Sequence, residues 1–280
     1  MPLDYAKLMA WPFPPIDRDY TTQDLVHFAK GFGAGVDSAW ATVDAPYLRP
    51  DTTLQALPMA AVALADGEFW QQDPATGIDW RQLVHVQESL ALHRPLPSSG
   101  RVRVTQKVAD IFDRGSDKGA QMLQNLELSD AQGPIASIEV STLLRGNGGF
   151  GGQPNNRPHL APIPQRAADA TIEIKTPQDP HSAFRLNADI NIGKGTEKIM
   201  IRGLGCFGLA GRGVIALSCD NHPQRLKKIA VRYAGPMYTD ETMRLELWHI
   251  TAGQVVFRLH AVERDQPVLS QGVAHFDPLD

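Results

Sequence analysis

Long runs of strict alternation between apolar and polar positions mark this chain. Val102, Val104, Gln106 and Val108 alternate with Arg101, Arg103, Thr105 and Lys107. Ala120, Met122, Gln124, Leu126 and Leu128 form a second such row, and Ala136, Ile138, Val140, Thr142 and Leu144 a third. A period of two over eight or more residues sets one face of a long antiparallel strand against a core. The S-D-A-Q-G of residues 129–133 has the composition of a hairpin turn. Residues 83–93 read as a further strand, and 228–234, 242–250, 255–263 and 268–276 as four more.

Three stretches carry a helical pattern instead. Thr21 can cap a helix whose first turn holds Asp24 and whose apolar side is Val26, Phe28, Ala29, Phe32 and Ala34. The alanine-rich run L-Q-A-L-P-M-A-A-V-A-L-A at 54–65 predicts a helix over 59–65, with Pro58 suited to its first turn. In residues 203–217, Leu204, Phe207, Gly208, Gly211, Val214 and Ile215 share one helical face. Gly203, Gly205, Gly208, Gly211 and Gly213 stud that segment, and each interior Gly costs about 1 kcal/mol against Ala. Such a helix is expected where a sheet wraps it closely. Its start presents unpaired N–H groups and the positive end of a dipole, which suits a developing oxyanion.

The two halves share a logic. Residues 90–96, L-A-L-H-R-P-L, lead to the strand at 101–108, and residues 230–237, A-V-R-Y-A-G-P-M, lead to the strand at 241–248. Both read strand, Pro, short polar turn, strand, which makes a weak internal repeat. Between the halves, Q-P-N-N-R-P-H-L-A-P-I-P-Q-R is proline-rich and lacks periodicity, as a linker does. The expected organisation is residues 1–152, a linker at 153–168, and residues 169–280. The expected fold is α+β: a helix wrapped by a long antiparallel sheet, twice, which is a double hot-dog.

Composition narrows the function. The chain has 42% hydrophobic and 21% charged residues and a net charge of −4, the profile of a globular protein. With no long basic run, nucleic acid is not an expected partner. The two cysteines, Cys206 and Cys219, lie in or beside the apolar helix and read as buried thiols. No apolar run reaches membrane-spanning length, no signal-peptide core opens the chain, and the final H-F-D-P-L-D is not a peroxisomal address, so a cytoplasmic protein is expected. The glycine cluster G-N-G-G-F-G-G at 146–152 lacks the Lys-Ser/Thr and the helix that a phosphate loop needs. His27 reads as an exposed or core-edge histidine.

The residues that carry chemistry carry a resemblance. D-I-N at 189–191 and G-L-G-C-F-G at 203–208 resemble the hydratase motif of the MaoC-like, (R)-specific enoyl-CoA hydratase family, roughly D-x-N-P-x-H, a loop, then H-G-L-x-x-F-G. The departures are Ile192 for the Pro, Lys194 for the first His, Arg202 for the second, and a shorter loop. Y-T-T-Q-D-L-V-H-F-A-K-G-F-G-A-G, D-W-R-Q-L-V-H, L-H-R-P-L-P, D-R-G-S-D-K-G-A and L-R-G-N-G-G-F-G-G occur in that order. They resemble the non-catalytic N-terminal half of the long two-domain members, and the resemblance covers residues 20–276.

The resemblance implies the double hot-dog fold and the addition of water to a trans-2-enoyl-CoA thioester. It implies Asp189 as the base, Asn191 as the residue that orients water or holds the Asp, and the Gly203 N–H as the donor to the thioester oxygen. His85 matches a substrate contact, although Val86 replaces the family's Gly. Arg114 matches a family Lys and, with Lys118 in the same turn, would meet CoA phosphates. Tyr233 matches an aromatic position near the acyl thioester. Lys194 and Arg202 stand where the histidines would line the substrate site. Without the motif His, turnover needs Lys194, with its pKa lowered by burial, or a histidine arriving from elsewhere. No cofactor or metal is implied; coenzyme A arrives as part of the substrate. Two alternatives stay open: an acyl-CoA-binding subunit that has lost catalysis, and a hot-dog thioesterase in which Asp189 activates water. A homodimer, or pairing with a homologous hot-dog protein, is the expected assembly.

Overall fold

In a computed structural model, residues 3–178 and 198–278 are described. The chain opens with a short helix α1 (Tyr5–Met9), strand β1 (Ile16–Tyr20), and helices α2 (Thr22–Gly31), α3 (Ala41–Leu48) and α4 (Ala60–Ala65). Four long strands follow: β2 (Leu83–Leu92), β3 (Gly100–Asp113), β4 (Ala120–Asp130) and β5 (Gly133–Leu144). Beyond the linker come β6 (Ala170–Lys175), the two-residue β7 (Met200–Ile201) and the helix α5 (Gly203–Ser218). The chain ends with β8 (Leu226–Tyr233), β9 (Met237–Tyr238), β10 (Thr242–Thr251), β11 (Gln254–Ala261) and β12 (Gln266–Phe276).

Ten strands form one sheet in the order β1-β3-β4-β5-β2-β8-β12-β11-β10-β6. The order is palindromic about the β2–β8 junction: β2 answers to β8, β5 to β12, β4 to β11, β3 to β10 and β1 to β6. The weak repeat in the sequence is thus a two-fold arrangement in space. At the junction β2 and β8 pair antiparallel, Glu88 opposite Val231 and Leu90 opposite Ile229. The α+β double hot-dog expected from the sequence is this sheet with α4 and α5 inside it.

The strands were legible from alternation, and the structure lengthens them: β3 runs five residues past Val108, to Asp113. Two outer strands gave no such signal. β1, I-D-R-D-Y, is short and mostly charged, and β6, A-T-I-E-I-K, has six residues. They pair at the ends, β1 on β3 and β6 on β10. α2 begins as predicted: the Thr21 side chain takes the Asp24 N–H and Asp24 answers to the Thr21 N–H, a capping box. Pro58 lies in the turn before α4, which starts at Ala60.

Two features of α5 go beyond what its sequence predicts. The helix has no solvent face; apart from Gly203, Ala216 and Leu217 its residues are buried, because the sheet covers one side and α2 and α4 the other. Its glycines also admit side chains rather than sheet backbone. A Cβ on Gly208 would lie 1.9 Å from Phe32 Cδ1, and one on Gly211 would lie 2.5 Å from Met59 Sδ. Phe32 and Met59 belong to the N-terminal half, so the glycines seat one half of the molecule on the other. Beneath them Arg212 and Asp44 form an ion pair, 1% and 0% exposed. Asp44 also accepts the Gly35 N–H at 2.8 Å, and the Arg212 guanidinium lies 4.4 Å from the Trp40 ring.

The linker does more than connect. Leu160, Ala161, Ile163 and Ala168 pack on Trp248, Val256 and Val273, on the sheet face turned away from α5. Arg166 and Asp169 clamp its end. The Asp169 carboxylate accepts from Arg166 Nη2 and from the His249 N–H, each at 2.8 Å, and the Arg166 carbonyl accepts from Trp248 Nε1. A corresponding apolar cluster, Leu8, Ile111 and Met122 with Trp11, Trp70 and Phe150 around it, lies under α1 in the N-terminal half.

Candidate active site at the start of the central helix

The inner rows of the sheet meet α5 at the β2–β8 junction. On β8 the inward row is Ile229, Val231 and Tyr233; on β2 it is Glu88, Leu90 and Leu92. A carboxylate in a row of aliphatic residues is the anomaly of this face. Glu88 is 3% exposed. Burying an ionised carboxylate is costly unless it is hydrogen-bonded, and Glu88 is: the Tyr233 hydroxyl donates to Glu88 Oε2 at 2.7 Å. The same hydroxyl lies 3.1 Å from the Gly203 carbonyl, which also accepts. Glu88, Tyr233 and the first residue of α5 therefore form one hydrogen-bonded group.

Gly203 sits tightly against Tyr233. A Cβ there would lie 3.2 Å from Tyr233 Cζ and 3.3 Å from its hydroxyl oxygen. Arg202, at the N-cap, reaches the other way and pairs with Asp66 at 2.8 Å. Asp66 is the residue after α4, so the end of one central helix is tied to the start of the other. Gly203 opens a sixteen-residue helix, whose start carries the positive end of the helix dipole.

His85 completes the group. In a regular strand, residues three apart face opposite sides of the sheet. Here Gln87 opposes Ser141 while His85 opposes Thr142, so Val86 is an extra residue, a bulge. The bulge turns His85 to the same side as Glu88. The His85 ring lies 4.7 Å from the Tyr233 ring, and its Nε2 lies 3.9 Å from Glu88 Oε2 and 3.2 Å from the Gln87 carbonyl. The His85 side chain is 31% exposed, so the cluster opens to solvent through it.

Local electrostatics follow from burial. Burial, reinforced by the Glu88 charge, holds the Tyr233 phenol well above its ordinary range, so it stays a donor. Burial and then Glu88 push the Cys206 thiol up, one turn into α5. Cys206 is thus a neutral packing group, as the sequence suggested, and so is the buried Cys219.

Of the residues singled out in the sequence, the structure brings together Gly203, Tyr233 and His85, with Arg202 beside them. Asp189, Asn191 and Lys194 lie outside the described residues. Arg114 and Lys118 sit on the exposed β3–β4 turn. That turn is held by the glycine cluster: the Asp113 carboxylate accepts the N–H groups of Gly115, Gly149 and Gly151 at 2.7–2.9 Å. A Cβ on Gly148 would lie 2.2 Å from the Gly115 carbonyl oxygen. The cluster is a clasp on the hairpin. Glu88 was not foreseen. The signal was available in part, since Glu88 shares a period-two row with Leu90 and Leu92.

No helix among the described residues is long and apolar enough to cross a membrane. Residues 19–146 match the family described as MFE-2 hydratase 2 N-terminal domain. The 3-hydroxyacyl-thioester dehydratase Y of Mycobacterium tuberculosis is 30% identical over 284 residues, spanning 94% of this chain and 94% of that protein. The probable enoyl-CoA hydratase 2 of Dictyostelium discoideum is 30% identical over 299 residues, spanning 100% of this chain and 98% of that protein. Among solved structures, a MaoC-like dehydratase from Phytophthora capsici aligns with a TM-score of 0.82 at 24% identity, covering 98% of this chain and 99% of that one.

Proposed function

The chain belongs to the MaoC-like hydratase 2 family of enoyl-CoA hydratases, and on that premise we propose that it adds water to a trans-2-enoyl-CoA thioester to give the (R)-3-hydroxyacyl-CoA. Three requirements define this chemistry. Water must lose a proton as it attacks Cβ, the thioester oxygen must be stabilised as negative charge grows on it, and Cα must receive a proton. The observation that carries the reading is the start of α5, where Gly203 sits against Tyr233 and a buried carboxylate at the positive end of the helix. In this proposal the Gly203 N–H donates to the thioester oxygen. Such a donor acts most strongly in a water-poor corner of this kind.

The sequence resemblance supports Asp189 as the base toward water and Asn191 as its orienting partner. Arg114 and Lys118 would meet the CoA phosphates, and Lys194 and Arg202 would border the acyl path. The proposal includes a cytoplasmic compartment, and a homodimer or a pair with a homologous hot-dog protein as the assembly. Incubating the purified protein with a trans-2-enoyl-CoA and resolving the product on a chiral phase tests the reading. The expected product is the (R)-3-hydroxyacyl-CoA. Release of free CoA would make the protein a thioesterase, and saturable binding without product would make it a binding subunit; either overturns the proposal.

A further inference from the structure

We propose that His85, backed by Glu88, is the proton-transfer residue of this site, so that the N-terminal half contributes directly to catalysis. The inference rests on the hydration reading above. The sequence leaves the motif's histidine positions to Lys194 and Arg202, so a histidine of this site has to come from elsewhere in the fold. The structure brings one to the start of α5. The bulge at Val86 has a chemical consequence, because without it His85 and Glu88 would lie on opposite faces of β2.

The ring's contacts fit the role. The Gln87 carbonyl accepts only a hydrogen, so the partner at 3.2 Å assigns Nε2 as the N–H of the neutral ring and leaves Nδ1 as the acceptor. When Nδ1 takes a proton, the ring becomes positive 3.9 Å from the Glu88 carboxylate. That carboxylate is held in place by the Tyr233 hydroxyl at 2.7 Å, and a phenol held well above its ordinary pKa does not compete for the proton. Glu88 is enclosed while His85 is 31% exposed, so the carboxylate is hidden behind the group that can meet a substrate. A buried carboxylate that compensates an exposed imidazole is the arrangement a proton-transferring histidine needs.

The step balances without a further reactant. The water oxygen bonds to Cβ, the Cα=Cβ π pair moves to Cα, and the thioester oxygen carries the developing charge. The base toward water in the hydration reading takes the proton the water loses, the His85 imidazolium gives its Nδ1 proton to Cα, and the base's proton returns to Nδ1 to reset the site. One O–H bond and one π bond are exchanged for a C–O and a C–H bond.

The test uses the full chain with crotonyl-CoA as substrate and butyryl-CoA as a non-reacting ligand. His85→Ala is expected to lower kcat by about 10²–10⁴-fold. KM and butyryl-CoA affinity are expected to change far less than kcat, the pattern of an interaction used mainly in the transition state. Added imidazole is expected to restore part of the rate, which no packing role would produce. Glu88→Gln keeps an acceptor for Tyr233 and removes the charge. It is expected to lower kcat by about tenfold or more with ligand affinity unchanged, and it carries the test if His85→Ala does not fold. Full kcat in either variant overturns the proposal. So does a loss in His85→Ala that appears in KM and butyryl-CoA affinity and is not rescued by imidazole. An inactive parent protein overturns the hydration reading itself, an outcome read before any variant is compared.

Discussion

At the scale of single residues, the polar groups inside the apolar sheet say most about this molecule. Glu88 is retained by the Tyr233 hydroxyl at the head of α5, and Arg212 is retained by Asp44 further along it. The first lies behind the half-buried His85 and is read here as chemistry. The second is enclosed on all sides and ties α5 to α3, so it is read as structure. Removing one partner of a buried ion pair leaves the other charge uncompensated, at a cost of about 3–5 kcal/mol. Arg212→Met is therefore expected to lower the denaturation midpoint strongly, and Arg212→Met with Asp44→Asn to lower it less, because the Gly35 N–H keeps an acceptor. Urea titrations of the two variants check this; equal losses would contradict it. Residue-level reading of the sequence put Cys206 in the core, where it lies, and picked out Gly203 and Tyr233, which the structure brings into contact. It failed at Glu88 because the site depends on an extra residue in β2. On an even count His85 and Glu88 face opposite ways, and only the observed register brings them together.

At the scale of elements, the strands and the two central helices were legible because their patterns are long. Alternation over eight or more residues survives a bulge, and α5 keeps its apolar face through five glycines. β1 and β6 were not legible, being short and partly charged edge strands. The packing of the linker was not legible for a different reason: its prolines leave no periodicity, yet Leu160 and Ile163 cover the outer face of the C-terminal sheet. Two predictions belong here. Gly208→Ala should gain about 1 kcal/mol of helix propensity yet lose more, since the new Cβ would sit 1.9 Å from Phe32. Thermal melts should show a net loss that Phe32→Leu partly reverses. The clamp at the linker's end should be acid-sensitive. Hydrogen bonds from Arg166 and from the His249 N–H lower Asp169 to about 2, below the ordinary value of about 3.9. A depressed carboxylate stabilises the fold above its unfolded pKa, and that contribution is lost as pH falls through the folded one. The stability difference between the protein and its Asp169→Asn variant is therefore expected to be constant above about pH 5 and to vanish toward pH 2, as measured by denaturation at each pH.

At the scale of the whole molecule, two copies of one unit have become one sheet with two different interiors. α4, in the first copy, is six residues of alanine, valine and leucine. α5, in the second, carries the glycine start, and the first copy lends it Phe32, Met59, Glu88 and His85. The halves are thus unequal in chemistry and joined in packing, which is why the organisation could be read from the repeat while the composite site could not. The central claim is that the start of α5 hydrates an enoyl thioester. Its most direct test is the loss of the conjugated enoyl absorbance when purified protein meets crotonyl-CoA or a medium-chain 2-enoyl-CoA, measured beside the Asp189→Ala variant. The account predicts saturable turnover by the parent protein, falling by about 10²-fold or more in the variant. An absorbance that does not change with the parent protein, or that falls equally fast with both, would contradict it.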